Sequence, residues 1–171
     1  YKTLDSLIKQ LLVKVEEIQL LRDFYFGFQI HQIGKEFDLL KIADEGILNI
    51  ELKSDGNEEA FKTQLIKNRY YLKALSKPIY LFTYNSVDNV LYKLFEDELV
   101  KTNFRELKEV ISTLINVDNV IIDDLFNPNL YLVSPLNDTQ RFLKRNYFLT
   151  SQQYEIKHGI IKEIERGFNY F

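Results

Sequence analysis

Apolar and polar positions alternate most clearly in two neighbouring stretches in the first third of the chain. Phe37–Ala43 is an apolar-rich run, and Ile47–Lys53 is a second one. Between them lies the tripeptide at 44–46, which ends in a glycine and is typical of a short hairpin turn. The pattern therefore predicts two adjacent antiparallel strands.

The rest of the chain carries apolar positions at helical or strand spacing. Strand, helix and strand in succession, from Ile47–Lys53 through 58–75 to 78–84, predict a right-handed parallel connection. The class expected is α/β or α+β, with a mixed central sheet flanked by helices. Helices are predicted at Thr3–Arg22, Glu58–Leu75 and Asn103–Ile115, and further strands at Phe24–Ile30, Pro78–Tyr84 and Val90–Phe95.

Length and composition narrow the class of protein. The chain has 171 residues, 46% of them hydrophobic, which is enough for one domain with a sizeable core. It has no cysteine, so disulfides and thiolate metal sites are excluded. No apolar run approaches the roughly 20 residues of a membrane span, and no signal peptide is visible. We therefore expect a cytoplasmic protein without a membrane partner.

The charge of the chain bears on nucleic-acid binding. Its formal net charge is −3, with a pI near 5.5. A protein of this charge does not bind nucleic acid through its whole surface. Any contact with nucleic acid must be local.

Three charged residues of the predicted hairpin, Asp38, Glu51 and Lys53, are candidates for a functional site. In a strand alternate side chains share a face, so Asn49, Glu51 and Lys53 point away from the face of Leu48 and Ile50. If the register places Asp38 opposite this face, two carboxylates converge, and a hard divalent cation would relieve their repulsion. The alternative is an amphipathic strand whose polar face meets water, and spacing alone gives that reading about equal weight.

The residues at 36–38 and 50–53, read as Glu-Phe-Asp, eleven intervening positions, and Ile-Glu-Leu-Lys, resemble the PD-(D/E)XK nuclease superfamily. Phe37 stands where that family has its leading proline. The resemblance covers about half the chain and implies a restriction-endonuclease-like fold. It implies that Asp38 and Glu51, with the Leu52 carbonyl, hold Mg²⁺ or Mn²⁺. Lys53 would position or activate the attacking water.

The predicted helix after this strand carries polar residues on its buried side. Asn68 falls near the middle of the apolar stripe, and Gln64, Lys67 and Tyr71 follow one flank. Buried amides need polar partners, which a loop or a functional site could supply equally well. RecB-like members of the superfamily are similar here, with a glutamine and a tyrosine on this helix. By that resemblance the four residues bind substrate.

The last part of the chain resembles a different family. Leu149, Thr150 and Gln153, followed by a predicted helix, are similar to the Q-motif that enters superfamily 1 and 2 (Schlafen-like) helicase domains. This resemblance predicts a nuclease-like domain at 1–147 and the start of a helicase or ATPase domain at 148–171. Gln153 would then contribute to an incomplete nucleotide site, and ATP would bind only in the domain downstream. The chain begins with Tyr1 and contains no methionine, which supports the expectation of a longer protein.

Together these features predict a metal-dependent nuclease domain that acts on nucleic acid, DNA rather than RNA, and is joined to a helicase. Two other classes stay open. The domain could bind nucleic acid or regulate the helicase without cleaving, or it could be a protein-interaction domain whose carboxylates lie on the surface.

Overall fold

The structure, a computed structural model, describes residues 2–12, 15–30, 33–115, 122–126, 133, 139–144, 149 and 151–165. Six strands form one mixed sheet in the order β1-β2-β3-β4-β5-β6. The α/β (α+β) class with a mixed central sheet flanked by helices is confirmed. The strands are β1 (Tyr25–Ile30), β2 (Lys35–Ala43), β3 (Gly46–Lys53), β4 (Ile79–Asn85), β5 (Val90–Phe95) and β6 (Glu98–Thr102).

Helices precede and follow the strands along the chain. In the part of the chain that the structure describes, 3₁₀ helices also lie at Val15–Leu21 and Lys73–Leu75. The α-helices are α1 (Lys2–Leu11), α2 (Glu58–Leu72), α3 (Phe104–Thr113), α4 (Ile122–Leu125), α5 (Thr139–Leu143) and α6 (Ser151–Glu165).

The predicted hairpin and crossover both form. β2 and β3 pair antiparallel around a two-residue turn, with Ala43 opposite Gly46 and Leu39 opposite Ile50. β3 and β4 pair in parallel. A parallel pair needs a crossover connection, which α2 supplies. Gly46 is needed because a Cβ there would lie 3.0 Å from the Pro78 carbonyl oxygen, where β4 begins beside β3.

The first predicted helix is wrong in its length. The structure ends α1 at Leu11 and continues as a 3₁₀ helix from Val15 to Leu21, rather than as one helix from Thr3 to Arg22. Valines at 13 and 15 have low helix propensity, and a 3₁₀ helix turns every three residues. The apolar stripe therefore loses its alignment, and Ile18, predicted to be buried, is 58% exposed.

One hydrophobic core lies on the side of the sheet that carries α1 and α3. Leu7 and Leu11 of α1 meet Leu107 and Ile111 of α3 over the sheet residues of this face. Leu48 and Ile50 of β3 belong to this cluster. Neighbours along a strand face opposite ways, so Asn49 and Glu51 face the other side, where α2 packs.

The chain divides into two compact units. The first comprises Tyr1–Phe28 with Glu36–Phe126, and the second comprises Gln29–Lys35 with Asn127–Phe171. The predicted domain boundary at residue 148 stays a prediction. Among the described residues, no helix is long and apolar enough to cross a membrane.

Candidate functional site

The candidate site lies where β3 ends against α2, within the first compact unit. Glu51 and Lys53 project from the α2-facing side of β3, and Gln64 and Asn68 reach them from successive turns of α2. The helix is fixed at its start by Asn57, whose side-chain oxygen accepts a hydrogen bond from the Ala60 amide at 2.9 Å. This cap satisfies one of the free amides of the first turn and helps set where α2 begins.

Glu51 is at the centre of the site and is 1% exposed. Its Oε1 accepts hydrogen bonds from Asn68 Nδ2 at 2.7 Å and Asn49 Nδ2 at 3.2 Å. Its Oε2 accepts a hydrogen bond from Gln64 Nε2 and lies 3.7 Å from Lys53 Nζ. Burying a carboxylate is costly unless it is paired and hydrogen-bonded, and this carboxylate is both.

Lys53 connects the buried carboxylate to the solvent. Its side chain is 25% exposed, while the ammonium faces Glu51. The main chain at this point is held by Ser86, whose amide donates to the Lys53 carbonyl oxygen at 2.8 Å. An ammonium held at the edge of a buried carboxylate can donate a hydrogen bond both to that carboxylate and to a group arriving from solvent.

Asp38 is joined to the site through the backbone of β3. Its Oδ2 accepts a hydrogen bond from the Leu52 amide at 2.7 Å. The paired positions of the hairpin end at Leu39 and Ile50, so Asp38 stands one step further, opposite Glu51 in register. The amide and carbonyl of one strand residue point to the same neighbouring strand, so we expect the Leu52 carbonyl on the Asp38 side.

An open cleft lies beside Asp38, on the side of the first helix. A partly exposed aromatic ring and a second carboxylate, that of Glu36, belong to its lining. The lining residues are Thr3, Leu4, Phe26, Gly27, Glu36, Asp38, Leu39 and Leu52. Asp38 and Leu52 are therefore accessible from solvent, whereas Glu51 is buried.

The four predicted substrate-binding residues of α2 take different positions. The amide nitrogens of Gln64 and Asn68 donate to Glu51, so these two side chains hold the carboxylate. Lys67 lies half-buried on the same helix. Tyr71 is 2% exposed, and its ring meets that of Tyr70 edge-on at 5.2 Å. Burial, and secondarily the charge of Tyr70, raises the pKa of Tyr71 to about 12.

The predicted nucleotide-binding residue lies in the second unit. Gln153 is exposed near the start of α6. Thr150, one of the proposed capping residues of this helix, and the segment 168–171 lie outside the described residues. The Q-motif reading therefore stays a prediction.

Sequence reasoning assigned no role to Asn49, which the structure places inside the site. Its side chain is completely buried and contacts both Glu51 and Asn68. The available signal was an amide in the middle of the apolar strand Gly46–Lys53, since a buried amide requires partners.

Asp38 and Glu51 carry oxygen ligands of the type that a hard cation prefers, but Asp38 lines the cleft on the α1 side of the sheet, whereas Glu51 faces α2. Mg²⁺ keeps several waters and is commonly held by only one or two carboxylates, which Asp38 and Glu51 could supply. Asn68 Oδ1 is a further buried oxygen beside Glu51 and has no hydrogen-bond partner among the described residues. The described residues contain no group of three or more histidine, cysteine or acidic side chains placed to hold a metal, so such a site would rest on two carboxylates and the Leu52 carbonyl.

Comparison of the chain with models of known protein families, with curated proteins and with solved structures finds no match.

Proposed function

We propose that this domain is a metal-dependent nuclease that hydrolyses phosphodiester bonds, with Glu51 and Lys53 at its centre. The observation that carries the proposal is the buried pair itself. Glu51 is almost completely removed from water, and its partners are an ammonium at 3.7 Å and the amides of Gln64 and Asn68. Such an arrangement costs free energy that a merely structural strand end does not require, so a functional role is favoured.

Mg²⁺, or Mn²⁺ in its place, would be held by Asp38 and Glu51 with the Leu52 carbonyl. A bound ion of this kind stabilises charge on the phosphate and lowers the pKa of a coordinated water. Asp38 keeps one carboxylate oxygen free of its hydrogen bond to Leu52 and lines the open cleft. Lys53 donates from the solvent side of Glu51, where it orients the attacking water and neutralises charge on the phosphate.

The substrate we propose is nucleic acid, with DNA before RNA as the first to test. The net charge of −3 restricts the contact to a small area around the site. We further propose that the domain works next to a helicase domain of the same protein, as the resemblance of its last part implies, and that it works in the cytoplasm, as its composition predicts.

Cleavage assays on variants test the proposal. The parent should cleave DNA in Mg²⁺ and not in a chelator. Glu51→Gln and Lys53→Ala should lower the rate at least about a hundredfold while the circular dichroism spectrum is retained. Glu59→Gln and Lys9→Ala, which change exposed side chains on α2 and α1, are the matched controls and should keep the parent rate. Full activity in both site variants would place the chemistry elsewhere.

One observation favours a second candidate, a nucleic-acid-binding module that does not cleave. Both Glu51 oxygens already accept hydrogen bonds, so an ion at Glu51 has to compete with these donors for the carboxylate. Titration of the parent with Mn²⁺ by calorimetry, followed by DNA binding in its absence, separates the two. DNA binding without Mn²⁺ binding would support the second candidate.

A further inference from the structure

Asn49 is an amide in the middle of an apolar strand, with Leu48 and Ile50 on either side. It is 0% exposed. An unpaired amide in such surroundings costs roughly 1–3 kcal/mol by mutational data, so its hydrogen bonds have to be made inside the protein. The contacts of this one side chain therefore show what it does.

Asn49 joins three parts of the molecule. Its Nδ2 donates to the Leu39 carbonyl oxygen of β2 at 3.1 Å and to Glu51 Oε1 at 3.2 Å. Its Oδ1 accepts a hydrogen bond from Asn68 Nδ2 of α2 at 2.6 Å. Asn68 Nδ2 also donates to Glu51 Oε1, so the two amides and one carboxylate oxygen form a closed set of contacts.

This arrangement makes the two oxygens of Glu51 unequal. Oε1 is held by Asn49 and Asn68, both completely buried. Oε2 faces Gln64 and Lys53, whose side chain is 25% exposed. Fixing one oxygen of a carboxylate also fixes the direction of the other, because the group is planar.

We propose that Asn49 is a positioning residue, which with Asn68 holds Glu51 Oε1 and thereby directs Oε2 towards Lys53 and the incoming ligand. Its value for catalysis rests on the proposed nuclease function, but the positioning itself does not. Amide partners of this kind orient ligating carboxylates, and their loss typically lowers metal affinity or activity 10–100-fold.

The test follows the Glu51 carboxyl directly by ¹³C nuclear magnetic resonance, with the signal assigned from Glu51→Gln. Asn49→Leu is close in size and removes the donor to Oε1. Because Oε1 loses one of its two amide donors, the chemical shift of the Glu51 carboxyl carbon at a fixed neutral pH should move away from its value in the parent. Lys53 is unchanged in this variant, so the shift reports the amide alone.

Two further variants remove ambiguity. Asn85→Leu is the matched control, because Asn85 is also buried but bonds to Asp88 and the Val87 amide, so its loss should leave the Glu51 carboxyl signal unmoved. Asn49→Ala is the second variant in case Asn49→Leu does not fold, because it removes the same donor without adding volume to the buried site, and it should show the same change of the signal.

An unmoved Glu51 signal in a folded Asn49→Leu or Asn49→Ala variant, or an equal shift in Asn85→Leu, would reduce Asn49 to a purely structural residue. The shift is measured without metal or substrate. If the Asn49 variant shows the shift but the parent cleaves nothing, the nuclease function is refuted and the positioning role is retained. In an active parent, Asn49→Leu should lower kcat about tenfold or more with little change in KM.

Discussion

The carboxylate of Glu51 lies out of water, and its neighbours must offset the free energy that this position costs. Lys53 supplies the opposite charge, and three amides supply hydrogen bonds. Removing one partner of a buried pair is more destabilising than removing both, because the remaining charge stays buried. Lys53→Ala should therefore lower stability more than the loss of an exposed lysine does.

Two substitutions of Asp38 separate its hydrogen bond to the Leu52 amide from its proposed role as an ion ligand. Asp38→Ala removes the acceptor of the Leu52 amide and should lower the free energy of unfolding by about 1–3 kcal/mol in urea titrations. Asp38→Asn keeps an acceptor oxygen and should retain most of that stability, yet lose affinity for Mn²⁺. The comparison is Asp44→Ala, which breaks an exposed ion pair with Lys77 and should cost less than about 1 kcal/mol. Equal losses in Asp38→Ala and Asp44→Ala would contradict the inferred role.

The raised pKa of Tyr71 should lower the free energy of unfolding at high pH. A tyrosine in the unfolded chain ionises near pH 10, whereas burial raises the pKa of folded Tyr71 to about 12. Between these values the unfolded chain releases the proton and the folded protein keeps it, so the free energy of unfolding falls as pH rises. Below about pH 10 the contribution is fully present. Urea titrations across this window should show a smaller decline in Tyr71→Phe than in the parent, and an identical decline would refute the assignment.

Individual residues differed in how well the sequence predicted them. The face shared by Asn49, Glu51 and Lys53 followed from strand alternation, because the period of a strand is two. The roles of Asn49, Gln64 and Asn68 depend on the position along β3 at which α2 packs. No local sequence pattern contains that information. The amides were visible in the sequence, but not that they would converge on one carboxylate.

Among the elements, α2 determines whether the site forms, and its N-cap offers a test. Asn57→Ala should cost about 1 kcal/mol, and so should Asn103→Ala, which removes the equivalent cap from α3. α2 carries Gln64 and Asn68, whereas α3 packs on the opposite face of the sheet. We therefore expect only Asn57→Ala to change the Glu51 carboxyl signal beyond what matched stability loss produces. An equal effect of both variants would show that the site responds to global stability alone.

The sequence pattern did not predict β6, for reasons that are local to that strand and its turn. β6 has five residues that are partly or fully exposed at the edge of the sheet, so its apolar alternation is weak. The turn before it places Glu96 at a positive φ of 53° without a glycine, so the usual hairpin signal was absent. By contrast, β4 is a continuous apolar run, and a long run of this kind is predictable from sequence because burial on both faces requires it.

At the scale of the whole molecule, surface charge limits how the protein can meet nucleic acid. Many of the lysines and arginines on α2 and the neighbouring strands are already paired with carboxylates. The pairs are Lys62–Glu98, Arg69–Asp97, Lys93–Glu106 and Lys101–Glu58. Paired cations release few counterions when a phosphate approaches, so they contribute little to DNA affinity.

If the domain binds DNA as proposed, the salt dependence of its DNA affinity should therefore be shallow. If three or fewer phosphates are contacted, the logarithm of the association constant for DNA should fall with the logarithm of salt concentration with a slope no steeper than about −3. Fluorescence anisotropy with a labelled oligonucleotide in chelator measures this slope without cleavage. Lys67→Ala, on the helix that forms the site, should reduce the slope by about one, whereas Arg105→Ala on α3 should leave it unchanged because Arg105 pairs with Glu109 on the opposite face. A slope of about −6 or steeper would require a broad basic surface, which a net charge of −3 and these ion pairs do not provide, and would contradict the local mode of binding.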